Sequence, residues 1–247
     1  MTDQFLSNFS SNLSVVVIGA SGGIGSGFVH HLIAQNNVAR IYAFSRSDAV
    51  FDSDKVISGH IDLTDEGSIE KAANTVDGHI DIVIVATGLL HANDITPEKS
   101  MRDLNLQQFH DVFAVNAFAP ALIAKYFCKR LPRDRRSVFA ALSARVGSIS
   151  DNRLGGWYAY RAAKTALNML LKNTAIEIAR KYKDASIIGL HPGTVATDLS
   201  EPFQSKVPDG KLFTPEYSSA CLLKVINDAD AAQSGKIFAW DGEEIPA

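Results

Sequence analysis

The apolar run Ser14–Ile18 is followed, with no spacer, by Gly19-Ala20-Ser21-Gly22-Gly23-Ile24-Gly25. A run without polar alternation reads as a strand covered on both faces, the habit of parallel sheets. Behind the glycines, Ile24, Phe28 and Leu32 recur at helical spacing, so the chain opens strand, glycine turn, helix. The alternation continues. Arg40–Ser45, Val56–Ile61, Asp81–Ala86, Ser137–Ser143, Ala185–Leu190 and Lys236–Trp240 read as further strands, and 105–131, 158–182 and 215–227 as helices. Strands alternating with helices need right-handed crossovers and helices on both faces. The expected fold class is α/β, a doubly wound sheet of about seven parallel strands.

A chain of 247 residues buries roughly 70% of its unfolded surface, enough for a core without disulfides or structural metals. One domain over 14–247 is expected, preceded by a flexible arm over the polar, Ser/Asn-rich residues 1–13. Apolar residues at 46% and charged residues at 21% exclude a disordered chain. A net charge of −3 supplies no field for nucleic acid or anionic membrane. No apolar run has membrane-spanning length, and the first basic residue is Arg40, so neither a bilayer partner nor a targeting leader is expected and the location expected is cytoplasmic. Cys128 and Cys221 stand far apart and the seven histidines show no ligand spacing, so no metal is expected. Asp198–Phe213, broken by Pro202, Pro208 and Gly210, reads as a loop or small lid beside a site.

The glycine turn has two chemical readings. Glycines let the backbone approach a pyrophosphate, and a helix N-terminus offers free N–H groups and partial positive charge. Residues 19–23 also match the G-x-S-x-G elbow of hydrolases, with Ser21 as nucleophile and His191 and Asp198 as nominal partners. An elbow normally follows several strands rather than the first, and five glycines between 19 and 27 exceed its needs, so the dinucleotide reading leads. The second strand ends Phe44-Ser45-Arg46-Ser47 with no carboxylate to receive a ribose 2′-hydroxyl. A guanidinium flanked by hydroxyls suits a 2′-phosphate, which favours NADP(H) over NAD(H).

Tyr160 and Lys164 stand four apart on one helical face, where a cation can lower a phenol's pKa from its usual value of about 10. The combination resembles the short-chain dehydrogenase/reductase family, in its C-factor/sniffer-like carbonyl reductase branch, over nearly the whole chain. Carrying the resemblance are the glycine turn, Asp62-Leu63 at the adenine position, Asn116, Gly155 to Tyr160, the segment Pro192-Gly193-Thr194-Val195-Ala196-Thr197, and Asp241-Gly242. It implies a Rossmann-type fold and cofactor contacts from Gly19, Ser21, Gly22, Gly23, Ile24, Gly25, Ser45, Arg46, Asp62, Leu63, Ala86, Thr87, Gly88, Tyr160, Lys164, Pro192, Gly193, Val195 and Thr197. It also implies reduction of a small ketone or aldehyde, with Tyr160 as proton donor, Lys164 lowering its pKa, Asn116 holding a water that resupplies the proton, and a serine orienting the carbonyl.

Three departures stand out. Ile18 replaces a threonine, and Val85-Ala86-Thr87-Gly88 replaces Asn-Asn-Ala-Gly. Counting back from Gly147 puts Ala144 where the catalytic serine belongs; Ser143 is nominated instead, with Ser148 a further candidate. Those losses support a rival class, a dinucleotide-binding regulator that catalyses little. The cluster Lys125, Lys129, Arg130, Arg133, Arg135, Arg136 reads as a helix end followed by a polar loop rather than a nucleic-acid surface. The family commonly pairs through the helices holding Asn116 and Tyr160, so a homodimer or homotetramer is implied. The substrate pocket is expected from Leu89–Asn93, Gly147–Trp157 and Asp198–Phe213.

Overall fold

The computed structural model describes residues 4–92 and 94–246, so Asn93 of the expected pocket lies outside the described residues. The strands are β1 (Leu13–Ile18), β2 (Val38–Ser45), β3 (Val56–His60), β4 (Ile82–Val85), β5 (Ser137–Leu142), β6 (Ala185–His191), β7 (Thr194–Val195), β8 (Leu212–Phe213) and β9 (Ile237–Ala239). The helices are α1 (Gly23–Ile33), α2 (Glu66–Asn74), α3 (Leu106–Phe113), α4 (Ala119–Phe127), α5 (Tyr158–Ile178) and α6 (Pro215–Asp228). Seven strands form one sheet in the order β3-β2-β1-β4-β5-β6-β9, every pair parallel, while β7 and β8 pair separately. The chain winds outward from β1, then returns to lay β4 on its other side. That reversal opens a crevice at the carboxyl ends of β1 and β4.

Why the strands read as unbroken apolar runs is visible in the packing. Val15, Val17, Ile82, Ile84 and Val138 face one core with Phe28, Leu32, Leu222 and Ile226 of α1 and α6. Their neighbours Val16, Ile18, Val83, Val85 and Phe139 face the other with Ile69, Ile123, Phe127 and Leu167 of α2, α4 and α5. Successive residues point to opposite faces, so a sheet covered twice needs apolar side chains at both parities. Each fully buried large side chain contributes about 1.5–3 kcal/mol.

One expectation needs correction. The described part of the first segment, residues 4–12, is not a loose arm: Phe5, Leu6 and Phe9 are buried in the α1–α6 core. Phe5 N donates to Gln35 Oε1 at 2.8 Å and Asn8 N to Asn227 Oδ1 at 2.9 Å. Three apolar residues anchor it. The helical stretch expected over 105–131 is present as α3, a π-helical turn at Ala114–Phe118, then α4 and a 3-10 turn. By length and hydropathy Leu106–Arg130 is apolar enough to cross a membrane, yet half of its most apolar window is packed inside the protein. The segment 198–213, expected as a loop or small lid, holds a 3-10 helix, Glu201–Lys206, and ends in β8.

Candidate active site

Gly19 follows β1 at φ +89°, and a Cβ there would stand 2.7 Å from both Ala86 O and Thr87 Cγ2. Only glycine lets the turn pass so close to the end of β4. Gly25, one turn into α1, packs on the carbonyl of Gly19 with no room for a methyl group. The N-cap of α1, Gly22, has extended backbone and no side-chain cap, and the first turn carries no acidic residue. The free N–H groups of α1 are thus left without an intramolecular side-chain acceptor at a cavity wall.

That cavity has a volume of about 580 Å³ and crosses the carboxyl ends of the sheet. Of the residues expected to line it, Gly19, Ser21, Gly22, Gly23, Ile24, Ser45, Arg46, Asp62, Leu63, Ala86, Thr87, Gly88, Ser143, Tyr160, Lys164, Pro192 and Thr197 do so. Four do not. Gly25 supports the turn from behind, Gly193 (φ +77°) packs on the Phe213 ring, Val195 is buried in β7, and Asn116 lies behind Gly88. His91, Asp198 and Leu199 line it from two of the segments expected to build the substrate pocket, and Ser47 lines it beside Arg46. Thr64, Val115 and Leu142 line the cavity without having been singled out.

At the far end Ser47 Oγ donates to Ser21 Oγ at 3.1 Å, and Ser45 Oγ to Ser47 O at 2.6 Å. Asp62 is held below the usual carboxylate range, first by the Thr64 N–H at 2.9 Å and its hydroxyl at 2.8 Å, then by Arg46 and His60. Ser21, the nominal hydrolase nucleophile, has another serine as partner rather than a base. His191 does not line the cavity, and burial, with the Arg145 cation adding, pushes it down to about 4. The hydrolase constellation is not assembled.

At the other end α5 presents Tyr160 and Lys164. Lys164 is 2% exposed, and its Nζ donates to Leu142 O at 2.8 Å and lies 5.6 Å from the Tyr160 ring centroid. Burial pushes Lys164 down to about 7 and Tyr160 up to about 12. Desolvation favours the neutral form of both groups, the direction opposite to the acidification expected of the phenol. Gly147 makes the close approach of the preceding turn possible, since a Cβ there would stand 2.9 Å from the Lys164 backbone.

Asn116 sits in the π-turn. Its Nδ2 donates to Val112 O of α3 at 2.9 Å and to Leu89 O at 2.7 Å. Oδ1 accepts from Leu89 N at 3.1 Å. The side chain thereby ties the segment after β4 to α3. Ser143 is buried on the cavity wall, and its hydroxyl donates to Asn168 Oδ1 at 2.6 Å. Ser148 is turned to Ser150 and Asp151 instead.

Each member of the basic cluster has a partner. Lys125 pairs with Glu66 and Arg135 with Asp81; Arg130 and Arg136 donate to backbone carbonyls; Lys129 and Arg133 lie over tyrosine rings.

A family model described as short chain dehydrogenase matches residues 14–208. The chain belongs to the short chain dehydrogenase family. It is similar to C-signal of Myxococcus xanthus, 28% identical, over 71% of this chain and 97% of that protein. The NADPH-bound carbonyl reductase from chicken fatty liver is 25% identical with a TM-score of 0.84, covering 97% of this chain and 96% of that one. Carbonyl reductase Sniffer of D. melanogaster, at 20% identity, shares the fold with a TM-score of 0.82 over 96% of this chain and all of that one. The protein is thus an oxidoreductase of the short chain dehydrogenase family. Its cavity suits a nicotinamide dinucleotide: an uncapped helix start on a glycine turn, with hydroxyls and a guanidinium at one end and an ionisable Tyr–Lys pair at the other.

Proposed function

We propose that this short chain dehydrogenase reduces a small ketone or aldehyde with NADPH, Tyr160 giving the proton. The observation that carries the reading is one continuous cavity running from Ser21, Ser45 and Arg46 to Ser143, Tyr160 and Lys164. Bound at the glycine turn, the reduced dinucleotide supplies a hydride. Arg46 and the hydroxyls of Ser21 and Ser45 suit its 2′-phosphate, and no carboxylate closes β2 to take a ribose hydroxyl. A phenol held up near 12 keeps its proton at neutral pH, so Tyr160 is loaded as an acid, the form that carbonyl reduction needs. Lys164, near 7, is the group that can return the proton afterwards, and Asn116 holds the segment after β4 against both. Ser143 fixes the oxygen, exchanging Asn168 for the alkoxide as charge develops there.

The test is a parallel assay of wild type, Tyr160→Phe and Arg46→Ala with NADPH and NADH. Tyr160→Phe is expected to lose at least a hundredfold in carbonyl reduction with NADPH binding kept. Arg46→Ala should weaken NADPH about tenfold or more and leave NADH unchanged. Carbonyl reduction retained in Tyr160→Phe overturns the assignment.

A second reading, a dinucleotide-binding regulator with little turnover, is favoured by Ala144 in the usual serine's place and by the donor of Ser143 being spent on Asn168. NADPH binding without consumption across a panel of aldehydes, ketones and quinones would select it. A cytoplasmic homodimer or homotetramer pairing through the helices that hold Asn116 and Tyr160, where Phe118, Met169 and Ile176 are exposed, completes the proposal.

A further inference from the structure

Behind Tyr160 and His91, which line the cavity, aromatic rings from separate segments pack on one another. Trp157 stands 5.0 Å from Phe203, centroid to centroid, at 60°, and 6.3 Å from Tyr160 at 76°. Phe203, on the lid's 3-10 helix, also meets His91 at 5.9 Å and 70°. His91, a cavity-lining residue, is fixed in turn by a hydrogen bond from Nε2 to Asp198 O at 3.0 Å. All three are edge-to-face contacts, a geometry that aromatic pairs prefer.

Trp157 is also held in a conformation that its type avoids. Its φ of +50° and ψ of +45° are left-handed, and it is one of two non-glycine residues with positive φ among those described. Such a geometry persists only where its surroundings impose it. Here Glu98 does so. Trp157 N donates to Glu98 O at 2.6 Å, and Ala159 N donates to Glu98 Oε2 at 3.2 Å, with the Glu98 side chain buried. One residue thus ties down both ends of the short stretch that aims the indole. Among the described residues, the lysines and arginines on the cavity wall are Arg46, at the opposite end, and Lys164, already bonded to Leu142 O, while Asp198 borders the aromatic end. An anionic substrate meets a carboxylate there.

We propose that Trp157 and Phe203 form an aromatic clamp selecting a flat, uncharged aryl carbonyl, and that Glu98 is the positioning residue that holds Trp157 in it. This rests on the reductase reading above. The rings touch each other in the structure, so the incoming aryl group replaces the Trp157–Phe203 contact with one contact to each, and the lid helix moves outward by the thickness of a ring.

The test compares acetophenone with cyclohexyl methyl ketone, matched in size, and with 4-acetylbenzoate, in the full-length enzyme with NADPH. The wild type is expected to favour acetophenone at least tenfold in kcat/KM over each competitor. Trp157→Leu and Phe203→Leu, which keep bulk and remove the ring, should bring the aryl-to-cyclohexyl ratio close to one while the Kd for NADPH stays put. Glu98→Ala should reproduce Trp157→Leu, and Glu98→Gln, which keeps an acceptor for Ala159 N, should restore the ratio. A readout apart from turnover is quenching of Trp157 fluorescence by acetophenone in a Trp240→Phe background, abolished in Phe203→Leu. A wild-type ratio near one, or a ratio untouched by both leucine variants, overturns the clamp and leaves the reductase standing. Absence of NADPH consumption with every carbonyl overturns the reductase, and the fluorescence titration then decides the clamp alone.

Discussion

A lysine pushed down to about 7 by burial carries a signature in stability as well as in catalysis. In the unfolded chain Lys164 titrates near 10.4. Above that value neither state holds the proton and Lys164 contributes no penalty. As pH falls from there toward 7, the unfolded state binds the proton and the folded state does not, so folding is opposed increasingly; below about 7 both are charged and the penalty is constant. Raising pH from 7 to 9 should therefore stabilise the wild type relative to Lys164→Met by about 1 kcal/mol per pH unit, measured by urea unfolding at each pH. Equal pH slopes in the two proteins would show Lys164 to have an ordinary pKa. At this scale, Tyr160 and Lys164 were legible in the sequence because four residues on a helix make one face. Their titration was not, since desolvation depends on what covers them. Nor was the commitment of Ser143 to Asn168, a residue 25 positions away.

Each catalytic candidate is placed by a contact between elements rather than within one. The α1 start is held to β1 and β4 by Gly19 and Gly25, and α5 reaches the end of β5 because Gly147 lets the backbones meet. Gly25→Ala is expected to force the turn open, since the new methyl group falls on the Gly19 carbonyl. NADPH binding should weaken at least tenfold, followed by cofactor fluorescence, while circular dichroism keeps its α/β signature. Unchanged affinity would mean that the turn does not form the cofactor cradle. The π-turn in the middle of the expected helical stretch is another case: Asn116 there bonds both Val112 O and Leu89 O, and Pro120, in the first turn of α4, has no N–H to give the helix. Glu98 belongs here too, since a charged residue in a loop gives no sign of being buried under a helix start 60 residues on.

For the molecule as a whole, the segment before β1 is a structural part of the α1–α6 layer. Leu6 is fully buried, and Leu6→Ala should cost about 2–5 kcal/mol by urea denaturation; a loss under 0.5 kcal/mol would show the segment to be dispensable. Its role escaped sequence reasoning because a hydrophobic pattern needs length to show a period, and three anchors in polar surroundings have none. What the amino-acid order determined alone was the layered parallel sheet and the place of its cofactor crevice. Those follow from local facts: apolar runs covered on both faces, glycines where backbone must approach backbone, and connections long enough only for crossovers. Tertiary structure decided the rest: which serine lines the cavity, which groups burial drives to their neutral forms, and which rings pack behind Tyr160 and His91. Each of those depends on distances between residues far apart in the chain, and such distances exist only once the chain has packed.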